Sequence, residues 1–393
     1  MGRTPIHSLF KAEIRGECVF MVAHGKLVTV MKTGSETQTH TLASDGPVRT
    51  IAISADASHV AIAADARTLS VFDTHSWAQH AQILLPKRPT AVAFHGSDLV
   101  VADKFGDVHR LSVGGEKIKL LLGHCSFVTA MILDLDLGHV ITSDRDEKIR
   151  ISSFPDTFQI EGFCLGHTGF ISAICKVPNR PREIVSGGGD GLLLFWNVST
   201  VSETQRIVLA ELAPELKTEP GKHPHSIIAI KACTISDSIA ILFEGIPFVY
   251  ILRVEKASNQ YSLHTKLSLP FLSALDIEFD HNGDLVVALG PGSAFLVACA
   301  PLKKEGNEIQ FGEISLDSGI ATRINSMATS KESEPINYSA YLEVLRKRTE
   351  EEVREKRGNL KRKGDDEETF GTEMKGDGKK GRGGGGKKSI AGQ

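Results

Sequence analysis

Gly166-His167 leads through an apolar run to Ser186-Gly-Gly-Gly-Asp190-Gly-Leu-Leu-Leu-Phe-Trp196-Asn197. The stretch before it has the same plan: Gly123-His124, then Thr142-Ser-Asp-Arg-Asp146-Glu-Lys-Ile-Arg-Ile151. The two histidines stand 43 positions apart, and Asp146 and Asp190 stand 44 apart. A Gly-His opening, a Ser/Thr-x-x-x-Asp turn and an apolar strand ending near tryptophan, recurring every ~40–45 residues, describe a unit of four short strands. Such a unit has two apolar faces and cannot bury them alone, so it stacks on copies of itself.

Working outward, the same rhythm continues. Val48 to Ile53, Val60 to Ala63 and Leu69 to Phe72 form one group, and Ala91 to Phe94, Leu99 to Ala102 and Val108 to Val113 another. Beyond the two clear units, Ile227 to Ala232, Ala240 to Phe243 and Phe248 to Val254 form a weaker group, followed by Ala274 to Phe279, Leu285 to Leu289 and Ala294 to Ala298. Short strands at this spacing point to an all-β propeller or sandwich, and the WD-repeat pattern of the two clear units makes it a seven-bladed β-propeller over residues 1–325. The count of seven takes the strands Cys18 to Ala23 and Lys26 to Met31 as completing the last blade, which closes the ring and removes an open sheet edge. Pro214 to Pro224 reads as a polar surface loop.

The tail differs in kind. After a linker at 326–337, residues 338–357 are a charged helix in which Glu350–Arg354 and Glu352–Lys356 stand at helical spacing. Residues 358–393 are basic and glycine-rich, with too few apolar side chains to offset ordering entropy, and are expected to be disordered.

Composition sets outer limits. The chain has 45 Lys and Arg against 48 Asp and Glu, a net charge of −3, so nucleic-acid binding has to come from local patches. No apolar run is long enough to cross a membrane, and Met1 to Lys26 carries no secretory pattern. Six cysteines without CxxC spacing read as reduced intracellular thiols. The histidines lack metal-ligand spacing, so no metal site is expected. Gly381-Arg-Gly-Gly-Gly-Gly386-Lys387 approaches a phosphate loop, but Lys388 takes the Ser/Thr position and no strand precedes it.

His167, Ser186 and Asp190 resemble a hydrolytic triad on paper. Repetition argues otherwise. His124, Thr142 and Asp146 are the neighbouring copy, with Ser152 in place of Trp196, and an active site is rarely built twice at blade spacing. His124, Thr142, Asp146, His167, Ser186, Asp190 and Trp196 are read as a structural network that satisfies buried polar groups, each costing about 1–3 kcal/mol if left unpaired. No catalytic residues are expected. A propeller enzyme would need acids or histidines converging on the central channel, and the sequence shows no such cluster.

Asp144-Arg-Asp-Glu-Lys-Ile-Arg150 departs from an ordinary blade turn, with three acids and three bases in seven residues. Internal pairing accounts for it if the turn is merely solvated. Arg145, Lys148 and Arg150 would instead discriminate between partners if they met a partner's carboxylates.

Val101-Ala-Asp-Lys-Phe-Gly-Asp-Val108, Thr142 to Arg150 and Cys164-Leu-Gly-His-Thr-Gly-Phe170 resemble the non-catalytic WD-repeat subunit of tRNA (guanine-N7-)-methyltransferase, a likeness strongest over residues 90–200. The resemblance implies a heterodimeric scaffold in the nucleus. Its catalytic partner would bind S-adenosylmethionine, with no cofactor on this chain, and form N7-methylguanosine in the tRNA variable loop. Lys148 and Arg150, with Arg145, would face the partner. Arg346, Lys347, Arg348, Arg354, Arg357 and Lys361-Arg362-Lys363 would contact tRNA phosphates, and the last cluster also reads as a nuclear-import signal. The rival reading is a general WD-repeat scaffold, such as a ubiquitin-ligase substrate receptor.

Overall fold

Successive side chains on a strand point to opposite faces, so a sheet stacked between two neighbours needs apolar residues on both. The middle strands His59–Ala64 and Thr68–Asp73 meet that demand and are buried almost throughout, whereas the next strand, Gln79–Leu84, buries only Ile83. In this computed structural model residues 8–314 are described, apart from 33–38, 115–117, 220–221, 256, 270–273, 290–296 and 306–307. They form seven antiparallel meanders, here blades 1 to 7, over residues 8–43, 48–84, 89–123, 128–165, 171–208, 227–268 and 274–300. The first strands of successive blades lie side by side around the ring. The charged helix and glycine-rich tail, with all eight proposed tRNA-contacting bases, lie outside the described residues.

Each seam between blades is an apolar cluster of its own. Ile141, Ile149, Ile151 and Cys164 of blade 4 pack against Ile171, Ile184, Leu194 and Trp196 of blade 5, and comparable clusters fill the other seams. Burying one such side chain contributes about 1.5–3 kcal/mol. Stability is therefore spread around the ring rather than held in one centre.

The seven blades are as expected, but the closure is not. The N-terminal strands do not complete the last blade. They belong to a complete first blade, Ser8–Ile14, Glu17–His24, Leu27–Lys32 and Thr39–Ala43, and blade 7 has three strands among the described residues. The two strands of this blade missed from sequence are the half-polar ones. Ser8–Ile14 buries Leu9, Ala12 and Ile14 but interposes Ser8, Lys11 and Glu13, and Thr39–Ala43 buries only Leu42. The ring closes by side-to-side packing of blade 1 on blade 7: Leu9, Cys18, Phe20, Val22 and Met31 meet Val286, Ala288 and Cys299. Two polar ties cross the same seam, from Leu9 N–H to Asp276 Oδ2 (2.9 Å) and from Lys11 Nζ to the Asp280 carbonyl (3.1 Å).

The segment after blade 5 is also more ordered than a surface loop. Its helical turns, Leu209–Leu212 and Pro214–Leu216, tuck Leu209, Ala213 and Leu216 into the seam with blade 6. Glu215 accepts hydrogen bonds from Tyr250 Oη (3.0 Å) and Lys266 Nζ (2.7 Å).

Candidate partner interface on the fourth blade

The network of blade 5 is complete. Trp196 Nε1–H donates to Ser186 Oγ (2.8 Å), Ser186 Oγ donates to His167 Nε2 (2.8 Å), and His167 Nδ1–H donates to Asp190 Oδ2 (2.7 Å). One neutral tautomer satisfies every group, and His167 and Asp190 are almost wholly buried. Asp190 also accepts the amides of Thr168 and Leu192, closing the turn. All of its polar capacity goes into holding the blade.

Blade 4 repeats this with a correction and a substitution. His124 Nε2 accepts from Thr142 Oγ1 (2.7 Å) as expected, but its Nδ1–H donates to Asp144 Oδ2 (3.0 Å), not to Asp146. Strand register explains the difference: Thr142 lies opposite Arg150 as Ser186 lies opposite Leu194, so Asp144 holds the place of Gly188. A carboxylate present there reaches the histidine first and caps the turn through the Lys148 amide (3.0 Å). Asp146 is left to accept from Ser126 Oγ (2.7 Å) and from Arg145 Nε (3.0 Å).

The substitution is at the tryptophan. Ser152 stands where blade 5 has Trp196, and Arg150 where it has the buried Leu194. In blade 5 the indole edge lies against Gly166, where an added Cβ would come within 2.9 Å of Trp196 Cη2. In blade 4 the Arg150 guanidinium fills the vacated region, donating to Ser152 Oγ (2.8 Å) and to the carbonyls of Gly123 (3.1 Å) and Thr157 (3.2 Å). All three acceptors are neutral. Partial burial draws this guanidinium below the usual arginine range, yet arginine stays charged in proteins. No carboxylate answers that charge among the described residues.

The three bases of the turn therefore part company. Arg145 is 8% exposed and paired with Asp146, so it belongs to the turn. Lys148 is exposed, its Nζ donating to the Asp146 carbonyl (3.0 Å). Arg150 is half-buried on the face opposite Ile149 and Ile151, as alternation requires. Sequence reasoning missed two apolar neighbours. Leu165 pairs across the strands with Lys148 and Phe163 with Arg150, which puts each couple on one face. Leu165 is 66% and Phe163 42% exposed. The signal was available in Ile-Glu-Gly-Phe-Cys-Leu, an outer strand far more apolar than the corresponding Ser202–Val208.

Two other gatherings resolve into structure. Asp103, Asp107 and His109 bring ligand atoms within 4.8 Å of one another, which their spacing did not announce. Asp103 Oδ1 accepts the amides of Phe105 (2.7 Å) and Asp107 (3.2 Å), the same turn cap that Asp144 makes in blade 4. On the inner strands Lys231 pairs with Glu278 (2.8 Å) beside Asp276. Asp276 ties the ring seam, so these groups are committed to one another and to the backbone.

Seven stacked blades, two of them carrying a His–Ser/Thr–Asp network, define a WD-repeat propeller, a class that presents rigid loops and edges to other macromolecules. The profile described as "tRNA methyltransferase TRM82 WD40 domain" matches residues 22–117 and 115–295, and the chain belongs to that family. It is 33% identical over 239 residues to the Xenopus laevis protein named tRNA (guanine-N(7)-)-methyltransferase non-catalytic subunit wdr4, covering 58% of this chain and 56% of that one. With the Mus musculus protein of the same name it shares 32% over 259 residues, 63% of this chain and 61% of the relative. Among solved structures, the RRP9 WD40 repeats superpose with a TM-score of 0.61 at 19% identity, over 73% of this chain and 88% of that one, a likeness of fold.

Proposed function

We infer that this chain is the non-catalytic propeller subunit of a nuclear tRNA (guanine-N7-)-methyltransferase, holding the catalytic subunit through blade 4. The observation that carries this is Arg150, a partly desolvated cation with neutral hydrogen-bond partners, beside Lys148 and the exposed Phe163 and Leu165. A charge placed this way is incomplete until a carboxylate reaches it, and an apolar rim removes water from the pair it forms. Family membership and the names of the relatives give the partner its chemistry. The partner supplies S-adenosylmethionine and the methyl-transfer groups, and this chain binds no cofactor. The basic residues from Arg346 to Lys363 add phosphate contacts to tRNA, and Lys361-Arg362-Lys363 directs nuclear import.

The test is co-expression with the methyltransferase subunit, comparing wild type with Lys148→Glu/Arg150→Glu. Wild type is expected to co-purify and restore N7-methylation of tRNA, and the folded variant to do neither. Truncating one partner of a buried charge pair costs about 2–5 kcal/mol of association. A double variant that still co-purifies moves the interface elsewhere. A wild-type chain that fails to co-purify leaves a WD-repeat scaffold for a different partner.

A further inference from the structure

Away from blade 4, three loops of blades 2 and 3 line an open, shallow pocket of about 370 Å³. Arg67 comes from the second turn of blade 2, Lys87 and Arg88 from the connection to blade 3, and Lys104 and Phe105 from a turn of blade 3. All five are exposed, Phe105 by 58%. The one acid in the wall, Asp65, is shared between Arg88 (3.2 Å) and Arg49 (2.7 Å). Lys87 and Lys104 meet no carboxylate among the described residues. Their ammonium groups instead lie 4.4 Å and 5.8 Å from the centroid of the Phe105 ring.

The Phe105 ring stands at a solvent-facing turn whose backbone is held in place. Asp103 Oδ1 fixes the Phe105 amide (2.7 Å), and Gly106 follows at φ +104, where any side chain would strike the His124 carbonyl. Four bases against one shared acid call for a polyanion. An acidic peptide would answer the charges and leave the ring unused. A nucleotide answers both, stacking its base on the ring and setting its phosphates among the lysines and arginines. A duplex keeps its bases stacked on each other, so an unpaired nucleotide is the match.

We propose that the pocket formed by Arg67, Lys87, Arg88, Lys104 and Phe105 binds an unpaired nucleotide of an RNA chain, with Phe105 as the stacking platform. That the ligand is an unpaired nucleotide stands on the pocket itself, and that the chain is RNA, the tRNA of the complex, rests on the proposed function.

The experiment is fluorescence anisotropy with the full-length chain, titrating a short single-stranded RNA and a duplex of the same length at several salt concentrations. Each protein is also prepared with Lys361→Ala/Arg362→Ala/Lys363→Ala, so that the tail does not mask the pocket. Phe105→Ala is expected to weaken single-strand binding about tenfold, leave the salt slope unchanged and spare the duplex. Phe105→Trp restores affinity. Lys87→Ala/Lys104→Ala flattens the salt slope by roughly 0.7 for each phosphate left without its lysine. Thermal midpoints matching wild type show that these exposed positions do not unfold the blade. The proposal is overturned if Phe105→Ala binds like wild type. It is equally overturned if the lysine variant weakens single strand, duplex and heparin alike while Phe105 is indifferent, which is a polyanion surface without a base site. The readout needs no methyltransferase, so a failed co-purification and a failed stacking result are distinguishable.

Discussion

Blades 4 and 5 share one plan, and they diverge at the place where one of them stops being only a wall. In blade 5 the indole of Trp196 closes the network on Ser186, and Leu194 beside it is wholly buried. In blade 4 both are gone. Ser152 leaves room and an oxygen, and Arg150 uses both to stand half out of the blade. The histidine, the hydroxyl and the capping carboxylate persist, so the frame stays rigid while one position is released to present a charge. An imperfect repeat inside a ring of adequate ones is thus a place to look for binding, because its neighbours carry the fold.

The comparison breaks most visibly at the tryptophan. Trp196→Ala removes a buried indole and one of the partners of the Ser186 hydroxyl, which keeps its bond to His167, and urea unfolding is expected to show a loss of about 3–5 kcal/mol. Ser152→Trp is the reciprocal change, rebuilding blade 5's arrangement in blade 4. The indole is expected to evict the guanidinium, lowering stability by about 1–3 kcal/mol through overpacking and reducing capture of the proposed methyltransferase partner in pull-down. Retained capture would mean that Arg150 does not act from the seat it occupies here.

A finer cut separates the two aspartates of one turn. Asp144→Asn disturbs a buried bond to His124 and the cap on Lys148, and should cost about 1–3 kcal/mol. Asp146→Asn keeps an oxygen for Ser126 and removes only the charge opposite Arg145, a partly buried pair, and should cost about 1 kcal/mol. Equal losses in urea would return Asp146 to the network. The smallest effect distinguishes the two sides of blade 4's outer strand, where Phe163 and Leu165 face solvent and Cys164 faces the core. Burial pushes the Cys164 thiol up to about 12. A raised thiol favours the folded state while it stays neutral, so its contribution is intact below the usual thiol range. It is lost as pH rises from about 9 towards 12. Cys164→Ala should flatten the alkaline fall of the urea midpoint, and iodoacetamide should label the exposed Cys125 and spare Cys164.

Blade number and the role of His124, Thr142, His167, Ser186, Asp190 and Trp196 were legible in the sequence because they recur with a period. What failed was what spacing alone cannot rank. Asp144 and Asp146 lie two residues apart, and alignment by interval selects the wrong one because blade 5 has glycine where blade 4 has its working carboxylate. Arg145 shares a segment with Lys148 and Arg150, yet the turn folds it inward onto Asp146. The strands Ser8–Ile14 and Thr39–Ala43 escaped because each carries too few apolar residues to announce itself. The pocket around Phe105 was out of reach for another reason. Residues 67, 87, 88, 104 and 105 belong to three loops, and only the stacking of blade 2 on blade 3 makes them neighbours.

The self-contained first blade has a bearing on how the chain is made. Chains fold from the N-terminus as they are synthesised, and here the first blade owns all four of its strands once residue 43 has emerged. No early sheet has to wait with an empty slot for a late strand. Were the blades to form in chain order, each would settle on its neighbour and the final contact would be between Phe20 and Val22 on one side and Val286 and Ala288 on the other. A chain interrupted before that meeting displays a greasy wall instead of a ragged strand edge. That wall is the mark by which a chaperone would know the ring is still open.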